Sequence, residues 1–453
     1  MALRPAAILP PPRPTPIERI LSPFHDFVRT ASAGGLVLIA STLVALVWAN
    51  SPWGGSYEHL WETELTVGMG ARALTYSLHH WINDGLMVVF FFLVGLEIKR
   101  EVLVGELASA RRAALPAAAA LGGMVVPACL YALLNAGGPG APGWGIPMAT
   151  DIAFAIGVLA LLGPRTPTAL KVFLTALAIV DDIGAVVVIA VFYTARIEWS
   201  ALMAGLAFLG ALVALNRMGA RQPLTYALIG ILVWAAFLQS GVHATVAGVL
   251  VAMTVPVRTR INTLDFLNGG RRLMDAFDDA GEEGTSILTN HRQQAIVQEL
   301  ETACQHAQSP LQRIEDSLHP WVAFLIIPLF ALANAGVRLE GDLLGAFTHP
   351  VTLGVIVGLV LGKPIGITLF AWLSVKLGVA SLPRGVSWRS IHAVSWLGGI
   401  GFTMSLFISA LAFTDGEMVA EAKIGTFTAS VLAGIAGWVM LRRIRPPAHP
   451  VAD

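Results

Sequence analysis

Apolar stretches of about 20 residues, each long enough to cross a hydrocarbon core as a helix, recur twelve times along this chain of 453 residues. They lie near residues 31–50, 82–97, 113–135, 146–162, 169–193, 199–215, 223–239, 241–257, 320–336, 351–375, 391–413 and 424–441. The predicted fold class is therefore an all-α polytopic membrane protein with twelve transmembrane helices. Charged residues make up 13% of the chain, against about a quarter in a soluble domain, and the missing charge is missing from these stretches. The formal net charge of zero sets up no global field for nucleic acid, so the surroundings that the sequence implies are membrane lipid. Only two cysteines occur, Cys129 and Cys304, with no disulfide framework and no metal-ligand spacing.

Basic residues set the orientation, because Lys and Arg collect on the cytoplasmic side of a membrane. One alternating set of connecting segments carries 24 of the 29 Lys and Arg residues. The opposite set carries four, Arg72, Arg196, Arg338 and Lys423, and Lys363 lies inside a span. This asymmetry predicts a multi-pass protein with both termini in the cytoplasm. The predicted organisation is a cytoplasmic N-terminal tail (1–30), spans one to eight (31–257), a polar cytoplasmic insert (258–318), spans nine to twelve (319–443) and a C-terminal tail (444–453).

Two connecting segments stand out. Residues 64–77 read ELTVGMGARALTYS. Partial alternation around Gly68 and Gly70 fits a short external β-hairpin, placed within about 56–80, whose edge is able to pair with a second copy. The insert carries ten acids and six bases, a balance of −4, and a predicted helix from His291 to Ala307. It has no phosphate-binding glycine loop and no metal spacing, and its partner is left open.

Ionisable groups inside spans are expensive and are functional candidates by default. Asp181 and Asp182 sit midway along span five, Lys363 midway along span ten, and Asp151 within span four. Desolvation disfavours a bare carboxylate at that depth, and an ammonium there is able to offset one carboxylate. Two adjacent carboxylates cannot both stay ionised without a cation, which suits a site that holds either protons or a small hard cation on oxygen ligands. Neighbouring helical positions point about 100° apart, so Asp181 and Asp182 should do different work, one facing the lysine and the other the ion. Spans four and eleven are weak helices, with Gly145 and Pro147 before Thr150 and Asp151 in one and GGIGFTMS (Gly398 to Ser405) in the other. Broken helices aim their ends at a midplane site in many transporters. Asp151 would offset two positive helix ends and Lys363 two negative ones. Close packing of glycines against neighbouring helices would explain the same residues without a break. A broken span before a charged one (four, five) mirrors a charged span before a broken one (ten, eleven), which points to two repeats.

The strings ATDIAFAIGVLALLG (Ala149 to Gly163), ALAIVDDIGA (Ala176 to Ala185) and LGKPIGI (Leu361 to Ile367) resemble the ion site of the NhaA-type bacterial sodium/proton antiporter family. FLVGLEIKRE (Phe92 to Glu101), SGVHATVAGV (Ser240 to Val249), LHPWVAFLIIPLFALANAGV (Leu318 to Val337) and GGIGFTMSLFIS (Gly398 to Ser409) extend the likeness in the same order, from about Ala33 to Arg443. The resemblance implies a transporter and not an enzyme: an electrogenic, pH-regulated exchanger of Na+ or Li+ for protons in the bacterial inner membrane. It needs no cofactor beyond the ions it moves. It implies inverted-topology repeats with spans four and eleven crossing where they unwind, and a homodimer joined partly through the external hairpin. It implies Asp182 as principal Na+ ligand and proton carrier, Asp181 beside it paired to Lys363, and Thr150 and Asp151 at the crossing. Glu97, Arg100, Glu101, Glu315 and His319 match a cytoplasmic-side pH-response cluster, and Asp84 an acidic position near the outer end of span two. His243 matches a position tied to pH response, although a histidine at a helix end also reads as a structural group. The chain departs from the pattern in a longer N-terminal tail, a longer insert, and Asp316 where the family has a further histidine. A sodium-coupled symporter of an organic solute, or a membrane sensor signalling through its insert, are the alternatives. The first would need a larger midplane cavity with its own polar groups.

Overall fold

The computed structural model describes residues 33–68, 73–163, 166–194, 196–281, 286–338 and 343–444. The two predicted tails, apart from Ile444, and the basic residues Arg72 and Arg165 lie outside the described residues. The chain is a polytopic membrane protein of helices with one two-stranded sheet. Among the described residues nine helices are long and apolar enough to cross a membrane, or up to eleven if each of two bent pairs is one span.

The first helix, α1 (Ala33–Ala49), is followed by α2 (Gly54–Glu62) at 113° to it. Residues 56–62, at the edge of the segment about 56–80 that holds the expected hairpin, are helical. The hairpin proper is β1 (Glu64–Val67) paired antiparallel with β2 (Leu74–Ser77), Glu64 opposite Ser77 and Val67 opposite Leu74. It continues into α3 (Leu78–Leu103), and the Trp81 indole N–H donates to the Leu65 carbonyl at 2.9 Å. Then come α4 (Ala110–Leu134), a 3₁₀ segment (Ala141–Met148) leading into α5 (Ile152–Leu161), α6 (Thr168–Phe192), α7 (Trp199–Arg217), α8 (Pro223–Ser240) and α9 (Ala244–Thr254). At the α8–α9 turn Gly241 has φ +80° and lies so close to the Arg196 carbonyl that a Cβ would sit 2.0 Å from its oxygen. No other residue type fits there. Pro256 follows soon after α9, which is 11 residues long, shorter than the predicted eighth span.

The insert contains α10 (Thr263–Asp279), which its polar sequence did not announce, and α11 (His291–Ala307). The two pack as a hairpin: the Asn290 side chain donates to the Ala280 carbonyl at 2.7 Å and caps α11, and Gln293 donates to the Phe277 carbonyl at 3.2 Å. The ninth span was expected to begin at about residue 320. Its helix, α12 (Pro310–Asn334), starts ten residues earlier, inside the predicted insert. The reason is local. Ser309 caps the helix by accepting from the Gln312 N–H, and Pro310 takes the first position, where its missing N–H is harmless. Pro320 then sits inside the helix and a π turn, Val322–Ile326, follows it.

The rest is α13 (Leu343–Thr348), α14 (Pro350–Lys376), α15 (Trp388–Leu397), α16 (Phe402–Ala412) and α17 (Gly416–Arg443). Helices α15 and α16 meet at 51°. Val191, Leu228, Ile231 and Ile435 point outward, as befits helices whose solvent is hydrocarbon. Helices α4 and α14 approach closely. A Cβ at Gly122 would lie 2.2 Å from the Gly366 carbonyl oxygen, and one at Gly362 would lie 2.8 Å from the Pro127 Cα. Small residues let the two backbones meet. This contact brackets Lys363, whose turn is reached through a π segment, Gly358–Gly362.

Candidate functional site

The 3₁₀ segment ends at Met148, where Pro147 leaves the chain without an amide donor, and residues 149–151 are extended before α5 resumes. Opposite them, α15 ends at Leu397 and the glycines at 398, 399 and 401 carry the chain to α16. The two breaks are tied together by backbone and side chain. The Asp151 amide donates to the Ile400 carbonyl at 2.7 Å, and the Thr150 hydroxyl donates to the Gly398 carbonyl at 2.8 Å. The Ser405 hydroxyl donates back to the Ile146 carbonyl at 2.8 Å.

Asp151 serves both restarting helices. Its Oδ1 accepts from the Phe154 N–H at 2.9 Å, and its Oδ2 accepts from the Thr403 N–H at 3.1 Å and hydroxyl at 2.6 Å. Helix N-termini present unsatisfied donors and partial positive charge, and one carboxylate answers α5 and α16 at once. Thr403 lies within the GGIGFTMS motif, and its residue type alone does not single it out. The only signal for it was its place two residues after the last glycine.

Asp181 and Asp182 are buried on α6, and Lys363 is fully buried on α14. The Lys363 ammonium donates to Asp181 Oδ2 at 2.7 Å and to the Thr150 hydroxyl at 2.9 Å. The cation therefore reaches, through Thr150, the Gly398 carbonyl at the end of α15. Asp182 stands apart from this chain of bonds: among the described residues no donor reaches its buried Oδ1, and none reaches Asp181 Oδ1. Buried polar atoms are nearly always bonded, so orphaned ones mark a place to look for a ligand or an ion. The structure thus brings together Thr150, Asp151, Asp181 and Lys363, with Asp182 adjacent and its oxygen unanswered. Carboxylate, hydroxyl and backbone oxygens of this kind suit a hard monovalent cation or a proton.

The second group lies where α3 ends and α12 begins. Arg100 lies 3.3 Å from Glu315 and 3.6 Å from Glu101, and Glu97 lies within their field. Sequence alone did not make spans two and nine neighbours; the early start of α12 carries Glu315 to α3. Glu315 is buried, and among the described residues one of its carboxylate oxygens has no hydrogen-bond partner. His319 is exposed and, among the described residues, its side chain makes no ion pair or hydrogen bond.

His243 sits at the other end of the spans. Its Nε2 lies 3.5 Å from Asp84 and its Nδ1 2.9 Å from the Thr245 hydroxyl, with the ring edge-on to Phe407. Asp84 also meets His80 at 3.3 Å, a partner without any motif or spacing to single it out.

A family profile described as Na+/H+ antiporter 1 matches residues 25–441. The chain is 53% identical over 441 residues to the Na(+)/H(+) antiporter NhaA of Koribacter versatilis, covering 96% of each chain. It is 49% identical over 434 residues to that of Oleidesulfovibrio alaskensis, again 96% of each. It is 52% identical over 431 residues to Na(+)/H(+) antiporter NhaA 2 of Syntrophotalea carbinolica, covering 95% of this chain and 98% of the relative.

Proposed function

Because the chain belongs to the Na+/H+ antiporter 1 family, and so is a transporter that exchanges Na+ for H+ and not an enzyme, we propose that Asp182 is where the two ions compete. The observation that carries this reading is the unanswered buried oxygen of Asp182 beside a neighbour already engaged by Lys363. A carboxylate with one free face binds a proton or a cation, not both, so arrival of one releases the other. Asp181 and the Thr150 hydroxyl supply further oxygens, and Asp151 holds the two breaks in register.

In this reading the exchanger is electrogenic and works by alternating access. It is built from twelve spans in inverted repeats and lies in the bacterial inner membrane with both termini in the cytoplasm, as the basic-residue asymmetry supports. The cluster at the α3–α12 boundary adjusts its response to pH, and the exposed hairpin edge joins two copies. Li+ follows the same route as Na+.

The test is purified protein in liposomes with a preset pH gradient. Addition of Na+ without any organic solute should dissipate the gradient and generate a voltage. Asp182→Asn should abolish the exchange while the protein still folds. Sodium-dependent proton efflux near the unsubstituted rate in that variant would overturn the assignment. A requirement for solute would favour a symporter.

A further inference from the structure

Helix α15 is one arm of the second break, α14 carries Lys363, and the two pack side by side. They are joined at the break itself, where the Lys363 ammonium donates to the Thr150 hydroxyl and that hydroxyl donates to the Gly398 carbonyl. The same stretch of α14 runs close beneath the glycines, for a Cβ on Gly398 would lie 2.7 Å from Ile367 Cδ1. A second junction lies apart from the ion site. His392 stands six residues before Gly398 on α15, and Thr368 five after Lys363 on α14. There His392, Ser395 and Trp396 of α15 meet Thr368 of α14.

The directions of these bonds follow from the chemistry of the groups. An indole N–H only donates, so His392 Nε2, 3.3 Å from Trp396 Nε1, presents its lone pair. In a neutral imidazole the other nitrogen then holds the proton, and His392 Nδ1 donates to the Thr368 hydroxyl at 3.0 Å. The Ser395 hydroxyl donates to the His392 carbonyl at 2.7 Å. That leaves the Thr368 hydroxyl to donate to Ser395 Oγ at 3.1 Å. Each donor of these four side chains is thus aimed at an acceptor, and Ser395 is fully buried among them. A polar network satisfied in this way is rigid.

We propose that His392 is a positioning residue of the exchange. It does not touch the ion. It holds α15 to α14 at a second point, and two fastenings fix a direction where one leaves a hinge. When α15 swings, the turn of α14 that bears Lys363 turns with it, and the ammonium keeps its place between Asp181 and Thr150. Without the His392–Thr368 bond, α15 pivots at Gly398 and leaves the lysine behind. The inference rests on the reading of Asp182 and its neighbours as the ion site.

The test compares full-length variants in liposomes at limiting and at saturating Na+, with rates expressed per folded protein. His392→Leu removes both ring nitrogens. It should lower the maximal rate by about threefold or more while the Na+ concentration for half-maximal rate stays within about twofold. His392→Asn places an amide N–H where the Nδ1 proton stood, and should bring the maximal rate back to within about twofold of wild type. A packing role would not give that rescue, since asparagine fills the volume of the ring no better than leucine. Thr368→Val keeps the shape and loses the hydroxyl. It should slow exchange as much as His392→Leu, and the two together should slow it no further. A wild-type maximal rate in His392→Leu or Thr368→Val overturns the proposal. So does an asparagine variant as slow as the leucine one, or losses that multiply in the double variant. Should His392→Leu fail to fold, Thr368→Val compared with His392→Asn carries the same decision. Exchange that survives Asp182→Asn removes the ion-site reading, whereas unaltered rates in the His392 and Thr368 variants remove the second fastening alone.

Discussion

Asp181 and Asp182 differ by one partner. Asp181 holds Lys363, while among the described residues Asp182 faces no donor on its buried oxygen. Removing one member of a buried ion pair leaves the other uncompensated, at a cost of about 3–5 kcal/mol. Lys363→Ala should therefore lower the unfolding temperature. Lys363→Ala combined with Asp181→Asn should recover part of the loss, because the orphaned charge goes with it. Strict additivity in that double-mutant cycle would mean that the two residues do not interact in the folded protein. The presence of charges inside apolar spans was plain from the sequence, because so few residues there are polar. Which carboxylate meets the lysine was not, since a helix places neighbours about 100° apart without saying where the other helix stands. Thr403 was missed for a related reason: a threonine in an apolar span carries no weight until a carboxylate is seen against it.

The elements were legible where hydrophobicity set them and less so where caps or backbone contacts did. The hydropathy of span nine gave its membrane part, but the cap at Ser309 and Pro310 decides where the helix begins, and it moves Glu315 from a loop onto a helix facing Arg100. That placement supports a specific expectation. If the α3–α12 cluster sets the pH response, Glu315→Gln should move the pH midpoint of exchange at saturating Na+ and leave the maximal rate largely intact. An unmoved midpoint there and in His319→Ala removes the cluster from regulation. The α4–α14 contact makes a second demand. Overpacking a close helix contact typically costs about 1–3 kcal/mol, and Gly366 has no room for even one carbon: a Cβ would lie 2.1 Å from the Gly122 carbonyl oxygen. Gly366→Leu should displace the turn that carries Lys363, lowering both thermal stability and exchange rate. Unchanged values for both would mean that the contact does not position the lysine. The π turn before Lys363 had no sequence signal that composition or spacing reveals, because it depends on how α14 meets α4.

At the scale of the whole molecule, the sequence marks a chain of many apolar helices, of which nine to eleven among the described residues are long and apolar enough to cross a membrane, while the shapes of the connecting segments were not legible. Among the described residues each apolar stretch holds at least one helical segment, but two are interrupted by unwound residues and one shrinks to 11 residues. The insert carries a second helix where polarity alone suggested none. The hairpin shows its outer face to solvent, with Leu65 and Val67 exposed on β1. A strand edge of this kind invites pairing with another copy. Removing residues 65–76 should shift the protein in detergent from dimer to monomer by light scattering, with transport retained in liposomes. A dimer of unchanged stability would place the interface elsewhere.

The fastening of the two unwound stretches has a mechanical consequence. A pair of rods pinned at a single point near their middles pivots easily and slides with difficulty. The Asp151–Ile400 and Thr150–Gly398 bonds are such a pin, since both join the same few residues of each broken span. Motion that opens the site to one side and then to the other would swing the four arms (the 3₁₀ segment, α5, α15 and α16) about that pivot. The outer ends would sweep the largest arcs, and the carboxylates near the hub would travel least. The protein would then change which side the ion sees by turning the walls around it, without having to carry the ion far.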